Sequence, residues 1–123
     1  TYVDIIEAIR RITVGNCQRE TCFQDYIAAL MNAKTRVVLN GVEVDVYGGD
    51  TAIEIKVNPR IYDGIGQALT YKRLLGIRKV WLIHIFTYRV DAQQWCRELG
   101  KVLGELGIDY AVITPSHKCI GNE

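Results

Sequence analysis

The sequence predicts an α/β fold in which a mixed β-sheet has helices on its faces, and three observations support this class. Apolar residues recur with helical spacing in four segments of the chain. Five shorter segments either alternate apolar and polar residues or run apolar without interruption, as strands do. Three strands follow one another directly and the last two alternate with helices, so the predicted order is ααβββαβαβ.

The N-terminal half of the chain contains two of the predicted helices and a three-stranded meander. The first helix spans residues 2–13, and Gly15-Asn16 ends it. Asn16 is a favourable N-cap for a second helix over residues 17–33. The three strands follow at residues 35–39, 42–47 and 51–57.

The C-terminal half alternates helices with strands. The sequence predicts a helix over 61–75, an apolar strand over 79–86, a helix over 91–105, a strand over 108–114 and an irregular tail over 115–123. No linker, internal repeat or low-complexity run divides the chain. We therefore expect residues 1–123 to form one domain.

Length and composition are those of an ordinary globular domain. The chain has 123 residues, of which 49% are hydrophobic and 24% charged, so a sizeable core can form. No apolar segment is long enough to span a bilayer and no signal peptide is visible, so we expect a cytoplasmic protein without a membrane partner. A net charge of +1 is evidence against a large general affinity for DNA.

The cysteines do not indicate a metal site. None of the four forms a Cys-x-x-Cys pair or a zinc spacing with His84 or His117. Cys17 and Cys22 are five residues apart on the predicted second helix, where they would not share a face. We expect reduced thiols, with disulfides in a thermophile's cytoplasm as the alternative. His84 lies in an apolar strand and is expected to be a core or edge residue.

The hairpin of residues 42–57 is the most informative segment, because its register can be worked out. Side chains alternate between the faces of a sheet, and Gly49-Asp50 suits a two-residue loop. The apolar face then contains the pairs Val46–Ile53, Val44–Ile55 and Val42–Val57. The polar face contains the pairs Asp45–Glu54 and Glu43–Lys56.

Two acids therefore face each other beside a lysine. Like charges directly opposite one another are destabilising, and Asp45 and Glu54 form such a pair. A bound divalent cation would remove that penalty. The alternative is a solvent-facing sheet surface on which Lys56 pairs with Glu43, and the hairpin alone leaves both interpretations open.

Two helices contribute further polar residues where core is expected. Glu20 shares the buried stripe of its helix with Phe23 and Ile27, and a buried carboxylate needs a partner. The alternative is an ordinary first-turn acid favoured by the helix dipole. Gln67 and Tyr71 are four residues apart and would share one face of the helix that follows the hairpin, where they could also be an ordinary polar flank.

Together these residues resemble the PD-(D/E)xK nuclease superfamily. The resemblance rests on Glu20, Asp45, Glu54-Ile55-Lys56 and Gln67-x-x-x-Tyr71 in the predicted helix, meander and helix. It covers residues 17–84 and implies a restriction-endonuclease-like core. The Gln-x-x-x-Tyr element is similar to RecB-type nucleases, and the small size and helix glutamate are similar to archaeal Holliday-junction resolvases. Val44 stands where a proline is common, and the cysteines do not match an iron–sulfur pattern.

The resemblance implies hydrolysis of phosphodiester bonds with Mg²⁺ or Mn²⁺. The inner metal ligands would be Asp45, Glu54 and the backbone carbonyl of Ile55, with Glu20 bound directly or through water. Lys56 would orient a metal-bound water and stabilise the charge that develops in the transition state. Gln67 would position the water or a phosphate. Weaker candidates for contacts with DNA are Arg60, Tyr71 and Lys72.

The sequence therefore predicts a metal-dependent DNA nuclease, with branched DNA of recombination or repair as the candidate substrate. A junction resolvase needs two sites for two symmetric cuts, so the predicted partners are DNA and a second copy of the chain in a homodimer. A RecB-like exonuclease would act at DNA ends instead. The alternative is a catalytically inactive nucleic-acid-binding or protein–protein assembly module with the same fold.

Overall fold

A six-stranded sheet organises the computed structural model, which describes residues 1–121. Its strands lie side by side in chain order: β1 (Lys34–Leu39), β2 (Val42–Gly48), β3 (Thr51–Val57), β4 (Lys79–Ile85), β5 (Asp109–Ile113) and β6 (Lys118–Ile120). The pairs β3–β4 and β4–β5 are parallel, and the other three pairs are antiparallel. The predicted α/β class with a mixed sheet is confirmed.

Within residues 1–121, four α-helices cover the two faces of the sheet: α1 (Ile5–Arg11), α2 (Glu20–Met31), α3 (Ile65–Leu69) and α4 (Ala92–Leu103). The first two pack on one face, where Ile9, Phe23 and Ile27 are fully buried. The other two pack on the opposite face, and a π-helical segment, Thr70–Leu74, continues α3. No helix within residues 1–121 is long and apolar enough to cross a membrane.

The predicted irregular tail is wrong in part, because the described part of residues 115–123 contains a sixth strand. Strand β6 pairs with β5, and the Gly121 N–H donates to the Tyr110 carbonyl at 2.9 Å. A turn from Thr114 to His117 reverses the chain between them, with the Thr114 N–H donating to the His117 carbonyl. A three-residue strand is too short to show periodicity, which explains its absence from the predicted order. Residues 122–123 lie outside the described residues.

The expectation of reduced thiols is wrong, because the four cysteines form two disulfides, Cys17–Cys22 and Cys96–Cys119. The predicted second helix began at residue 17, whereas α2 begins at Glu20. Cys17 therefore has an extended backbone, and its Cα lies 5.6 Å from that of Cys22. Asn16, the predicted N-cap, instead ends a short 3₁₀ turn.

Candidate metal centre

The predicted register of the hairpin is confirmed from its turn to Val46 and is wrong beyond that residue. Val46 pairs with Ile53, as predicted, and the ladder between β2 and β3 ends there. The predicted pair Val44–Ile55 is not formed. Instead the Ile55 N–H donates to the Asp45 Oδ2 atom at 2.8 Å. The Asp45 side chain thus replaces a backbone acceptor of its own strand.

Strand β2 turns about its axis at Asp45. Val46 belongs to the apolar layer beneath α1 and α2, whereas Val44 belongs to the layer beneath α3 and α4. Residues two apart in a regular strand share a face, so the alternation is broken between them. The prediction that Val44 lies opposite Ile55 on one apolar face is therefore wrong, and the two strands separate beyond Val46.

The hydroxyl of Tyr71 contacts both of the separated strands. This hydroxyl donates to Glu54 Oε1 at 2.6 Å, lies 3.2 Å from the Glu43 carbonyl oxygen and accepts the Asp45 N–H at 3.3 Å. Tyr71 is 0% exposed. The predicted contact between Tyr71 and DNA is therefore wrong, because the residue has no surface to offer.

The carboxyl groups of Asp45 and Glu54 form a coupled pair. Glu54 is 2% exposed, and burial, then the charge of Asp45, raises its pKa to about 8. Burial, and more weakly the charge of Glu20, also raises the pKa of Asp45, against the Ile55 N–H bond, which lowers it. A hydrogen bond between the two carboxyl groups lowers the pKa of Asp45 and raises that of Glu54. Both shifts favour a metal-free pair that shares one proton near neutral pH.

Lys56 is the cation beside this pair. Its Nζ atom lies 3.8 Å from Glu54 Oε2, and its side chain is 25% exposed. The alternative in which Lys56 pairs with Glu43 is not formed, and Glu43 is exposed. The start of α3 closes over the lysine stem, because a Cβ atom at Gly64 would lie 3.1 Å from Lys56 Cγ. The glycine therefore permits the close approach of helix and lysine.

Glu20 lies near the end of β3 and outside the carboxyl pair. Its Oε1 atom accepts the Val57 N–H at 3.2 Å. Within residues 1–121, no three His, Cys, Asp or Glu side chains lie close enough together to hold an ion in this arrangement. The disulfide Cys17–Cys22 closes a short loop that contains Glu20, which restrains the start of α2.

Gln67 and Lys72 are not brought to the centre. Gln67 is exposed and has no hydrogen bond or ion pair to the carboxyl pair among the described residues. Gln67 is exposed whereas Tyr71 is fully buried, so the two side chains do not enter a common environment. Lys72 Nζ donates to the Arg78 carbonyl at 2.7 Å, at the opposite end of the parallel strands.

Arg60 lies at the same end of the sheet as the candidate centre, in the loop that follows β3. It is exposed, and its Nε donates to Asp63 Oδ2 at 3.1 Å. Asn58 orders this loop, since its Oδ1 accepts the Arg60 N–H and its carbonyl accepts a hydrogen bond from His84 Nε2 at 2.8 Å. His84 is fully buried, as expected of a core residue.

The loop contacts of Asn58, Asp63 and His84 were missed by sequence reasoning. Asn58-Pro59 signals a turn, but a turn signal does not identify its distant partners. Since His84 Nε2 donates, its Nδ1 is an acceptor, and it is a buried side-chain atom without a hydrogen-bond partner in residues 1–121. Burial lowers the pKa of His84, which favours this neutral form.

Two open clefts lie beside the start of α2. One cleft of about 540 Å³ is lined by Val14, Gly15, Cys17, Gln18, Thr87 and Pro115. These residues lie beyond the carboxyl ends of β4 and β5, the edge at which open α/β sheets bind ligands. Asp45 and Lys56 are only partly buried, so solvent reaches the pair from their side.

The carboxyl pair offers the type of donor atom that a hard divalent cation prefers, but within residues 1–121 no third acidic side chain joins it. Mg²⁺ and Mn²⁺ prefer oxygen ligands, and Asp45 and Glu54 supply two adjacent carboxyl groups whose mutual repulsion a cation would relieve. Comparisons with family models, with curated proteins and with solved structures found no match to this chain.

Proposed function

We propose that this protein is a Mg²⁺- or Mn²⁺-dependent deoxyribonuclease with a restriction-endonuclease-like core. The observation that supports the proposal is the buried Asp45–Glu54 pair beside Lys56. Two carboxyl groups held in contact in a buried site cost free energy. A bound cation would offset that cost. Lys56 would then lie beside the phosphodiester that reacts.

The residues of the centre have distinct roles in this proposal. Asp45, Glu54 and the Ile55 carbonyl would hold the cation directly. Glu20, which is bound to the Val57 N–H, would reach it through water. A bound cation of this kind polarises a phosphate and acidifies a water. Lys56 would orient that water and place its positive charge against the negative charge that develops on phosphate.

The substrate side of the proposal follows from the family resemblance. DNA is the proposed partner, branched DNA of recombination or repair the proposed substrate, and a homodimer the proposed state for two symmetric cuts. We place this activity in the cytoplasm. Intracellular proteins of hyperthermophiles are rich in disulfides, and the two disulfides of this chain would place it among such proteins.

A catalytically inactive nucleic-acid-binding or assembly module is the second candidate. The observation that favours it is the placement of Glu20, whose carboxylate is held at Val57 and not with the other two. A pair that keeps one proton is also stable without a cation at neutral pH. Calorimetric titration separates the candidates, because this module would bind neither Mg²⁺ nor Mn²⁺.

Cleavage assays with charge-removing variants test the proposal. The purified chain is incubated with Mn²⁺ and labelled single-stranded, duplex, flap and four-way-junction DNA. We expect Asp45→Asn and Lys56→Met to lower the cleavage rate by about a hundredfold or more, because the first removes a charged ligand of the cation and the second removes the positive charge beside the phosphate. Glu43→Gln, an exposed change on the same strand as Asp45, is the matched control and should cleave normally. Cleavage by Asp45→Asn at the wild-type rate would show the assignment to be wrong.

A further inference from the structure

The hydroxyl of Tyr71 takes the place of a strand partner. Two backbone groups of β2 that lie beyond the end of the ladder, the Glu43 carbonyl and the Asp45 N–H, both contact this hydroxyl instead of β3. Buried backbone groups need hydrogen-bond partners, so the strands could not stay apart here without one. The same oxygen atom contacts Glu54, one member of the carboxyl pair.

Tyr71 belongs to a π-helical turn. The Leu75 N–H donates to the Thr70 carbonyl at 3.1 Å, five residues earlier, so the turn contains one residue more than an α-helical turn. π-Helical turns are rare and occur often at functional sites. Tyr71 lies within this turn and is fully buried, whereas Gln67, which precedes the turn, is exposed.

Strand β1 shows a matching distortion on the other side of Asp45. Arg36 is skipped in the pairing of β1 with β2, and it has a left-handed backbone with φ of 51°. Such a conformation costs about 1 kcal/mol or more for a residue other than glycine. The Arg36 guanidinium donates to Gln24 Oε1 and Asp25 Oδ1 of α2, which hold it in place. The turn of β2 at Asp45 is therefore supported by both neighbours.

We propose that Tyr71 is a positioning residue whose hydroxyl holds β2 and β3 apart and fixes the Glu54 carboxyl group beside Asp45, ready for a divalent cation. The binding of a cation rests on the proposed function, whereas the separation of the two strands by the Tyr71 hydroxyl does not. Removal of the hydroxyl should let the two strands approach each other and extend their ladder past Val46. The carboxyl pair would then lose the spacing that a cation requires.

Tyr71→Phe is the test, because it removes the hydroxyl and keeps the ring. Mn²⁺ binding is measured by calorimetry, and the bound ion is observed by electron paramagnetic resonance. We expect about ten- to a hundredfold weaker binding and an altered spectrum, the usual effect of losing a group that orients a metal ligand. Tyr110→Phe is the matched control, since Tyr110 is also buried in the α3–α4 layer and its hydroxyl faces Gly100. It should leave both readouts unchanged.

Nuclear magnetic resonance separates failure of this inference from failure of the proposed function. In Tyr71→Phe we expect faster amide exchange at Asp45, or a new cross-strand contact between the Cα protons of Asp45 and Glu54, which would form a non-hydrogen-bonded pair in a closed ladder. If wild-type protein binds no Mn²⁺ but these changes occur, only the proposed function is wrong. If wild-type protein binds Mn²⁺ and Tyr71→Phe binds it equally with the same spectrum, the inference is wrong.

The wild-type protein provides the same test if Tyr71→Phe does not fold. We expect a slowly exchanging Tyr71 hydroxyl proton that lies close to the Asp45 amide proton. A wild-type spectrum that instead shows a closed ladder between Val44 and Ile55 overturns the inference.

Discussion

At the scale of single residues, the stability of the metal-free fold and the proposed function favour different protonation states of Glu54. It is a carboxyl group in a nearly closed environment, 2% exposed, and a second carboxyl group lies in contact with it. Burial disfavours the charged form of Glu54, and Asp45 disfavours it further. A cation would need that charged form, so the metal-free fold and the metal-bound site favour different protonation states.

Glu54→Gln should therefore stabilise the metal-free protein at high pH. A raised folded-state pKa adds stability that is fully present below the unfolded value of 4.5 and is lost as pH rises through about 8. We expect wild-type protein to lose on the order of a few kcal/mol over this range. The amide that replaces the carboxyl group is neutral and keeps an acceptor for the Tyr71 hydroxyl, so the variant should not lose this stability.

Urea unfolding in the presence of a chelator measures this effect. The free energies of unfolding of wild type and Glu54→Gln should be similar at pH 5, and the variant should be the more stable at pH 9. Glu43→Gln, which changes an exposed carboxylate on β2, should follow the wild-type curve. Parallel curves for wild type and Glu54→Gln over the whole range would contradict the raised pKa of Glu54.

At the scale of elements, the junction between α3 and β3 sets the position of Lys56. Gly64 immediately precedes α3, and a Cβ atom there would lie 2.4 Å from Leu82 Cδ1 and 3.1 Å from Lys56 Cγ. The leucine methyl can shift, but the lysine stem would then be displaced by a few tenths of an ångström. Gly66, two residues later in the same helix, has open space at that position.

Gly64→Ala should impair the centre while Gly66→Ala should not. We expect Gly64→Ala to lower the Mn²⁺-dependent cleavage rate by about tenfold, since small displacements of reacting groups are costly. It should lower the free energy of unfolding by about 1 to 2 kcal/mol through overpacking. Gly66→Ala should keep the wild-type rate and add up to about 1 kcal/mol of stability. Equal cleavage rates for the two variants would show that this junction does not position Lys56.

Elements and local register could be predicted from sequence because they depend on short-range patterns. The turn near Gly49 determines the pairing of Val46 with Ile53, and helical periodicity located α2 and α4 to within a few residues. The proximity of Asp45 and Glu54 followed from the same register. Local steric rules and periodicity are sufficient for each of these features.

The geometry of the candidate centre could not be predicted, because it depends on contacts between distant residues. Strict alternation along β2 assumes a continuous ladder, and the Tyr71 hydroxyl interrupts it from 26 residues away. The π-helical turn that contains Tyr71 has no sequence signature in this segment. Helical spacing predicted a common face for Gln67 and Tyr71, but it could not predict that Tyr71 is buried and Gln67 exposed.

At the scale of the whole molecule, positive charge is not concentrated around the candidate centre. The net charge is +1, and several cations are paired with acids, among them Arg11 with Glu7, Arg36 with Asp25 and Lys101 with Glu98. Lys72 lies at the other end of the parallel strands. Of the two cations predicted as DNA contacts, Arg60 lies at the end of β3 that contains the centre and Lys72 does not. Lys56 belongs to the centre itself.

DNA binding should therefore depend weakly on salt. Each phosphate that a protein neutralises on duplex DNA contributes about −0.9 to the slope of log K against log salt concentration. Lys56 and Arg60 together predict a slope of about −2 for each protomer, measured by fluorescence anisotropy with Ca²⁺ in place of the active metal to prevent cleavage. Arg60→Gln should reduce the slope by about 1, because Arg60 is the exposed member of the two. Arg78→Gln, an exposed arginine beside Asp50 at the far end, should leave it unchanged. A slope several times steeper, or one that Arg78→Gln reduces as much as Arg60→Gln does, would place the DNA on a different surface from the carboxyl pair.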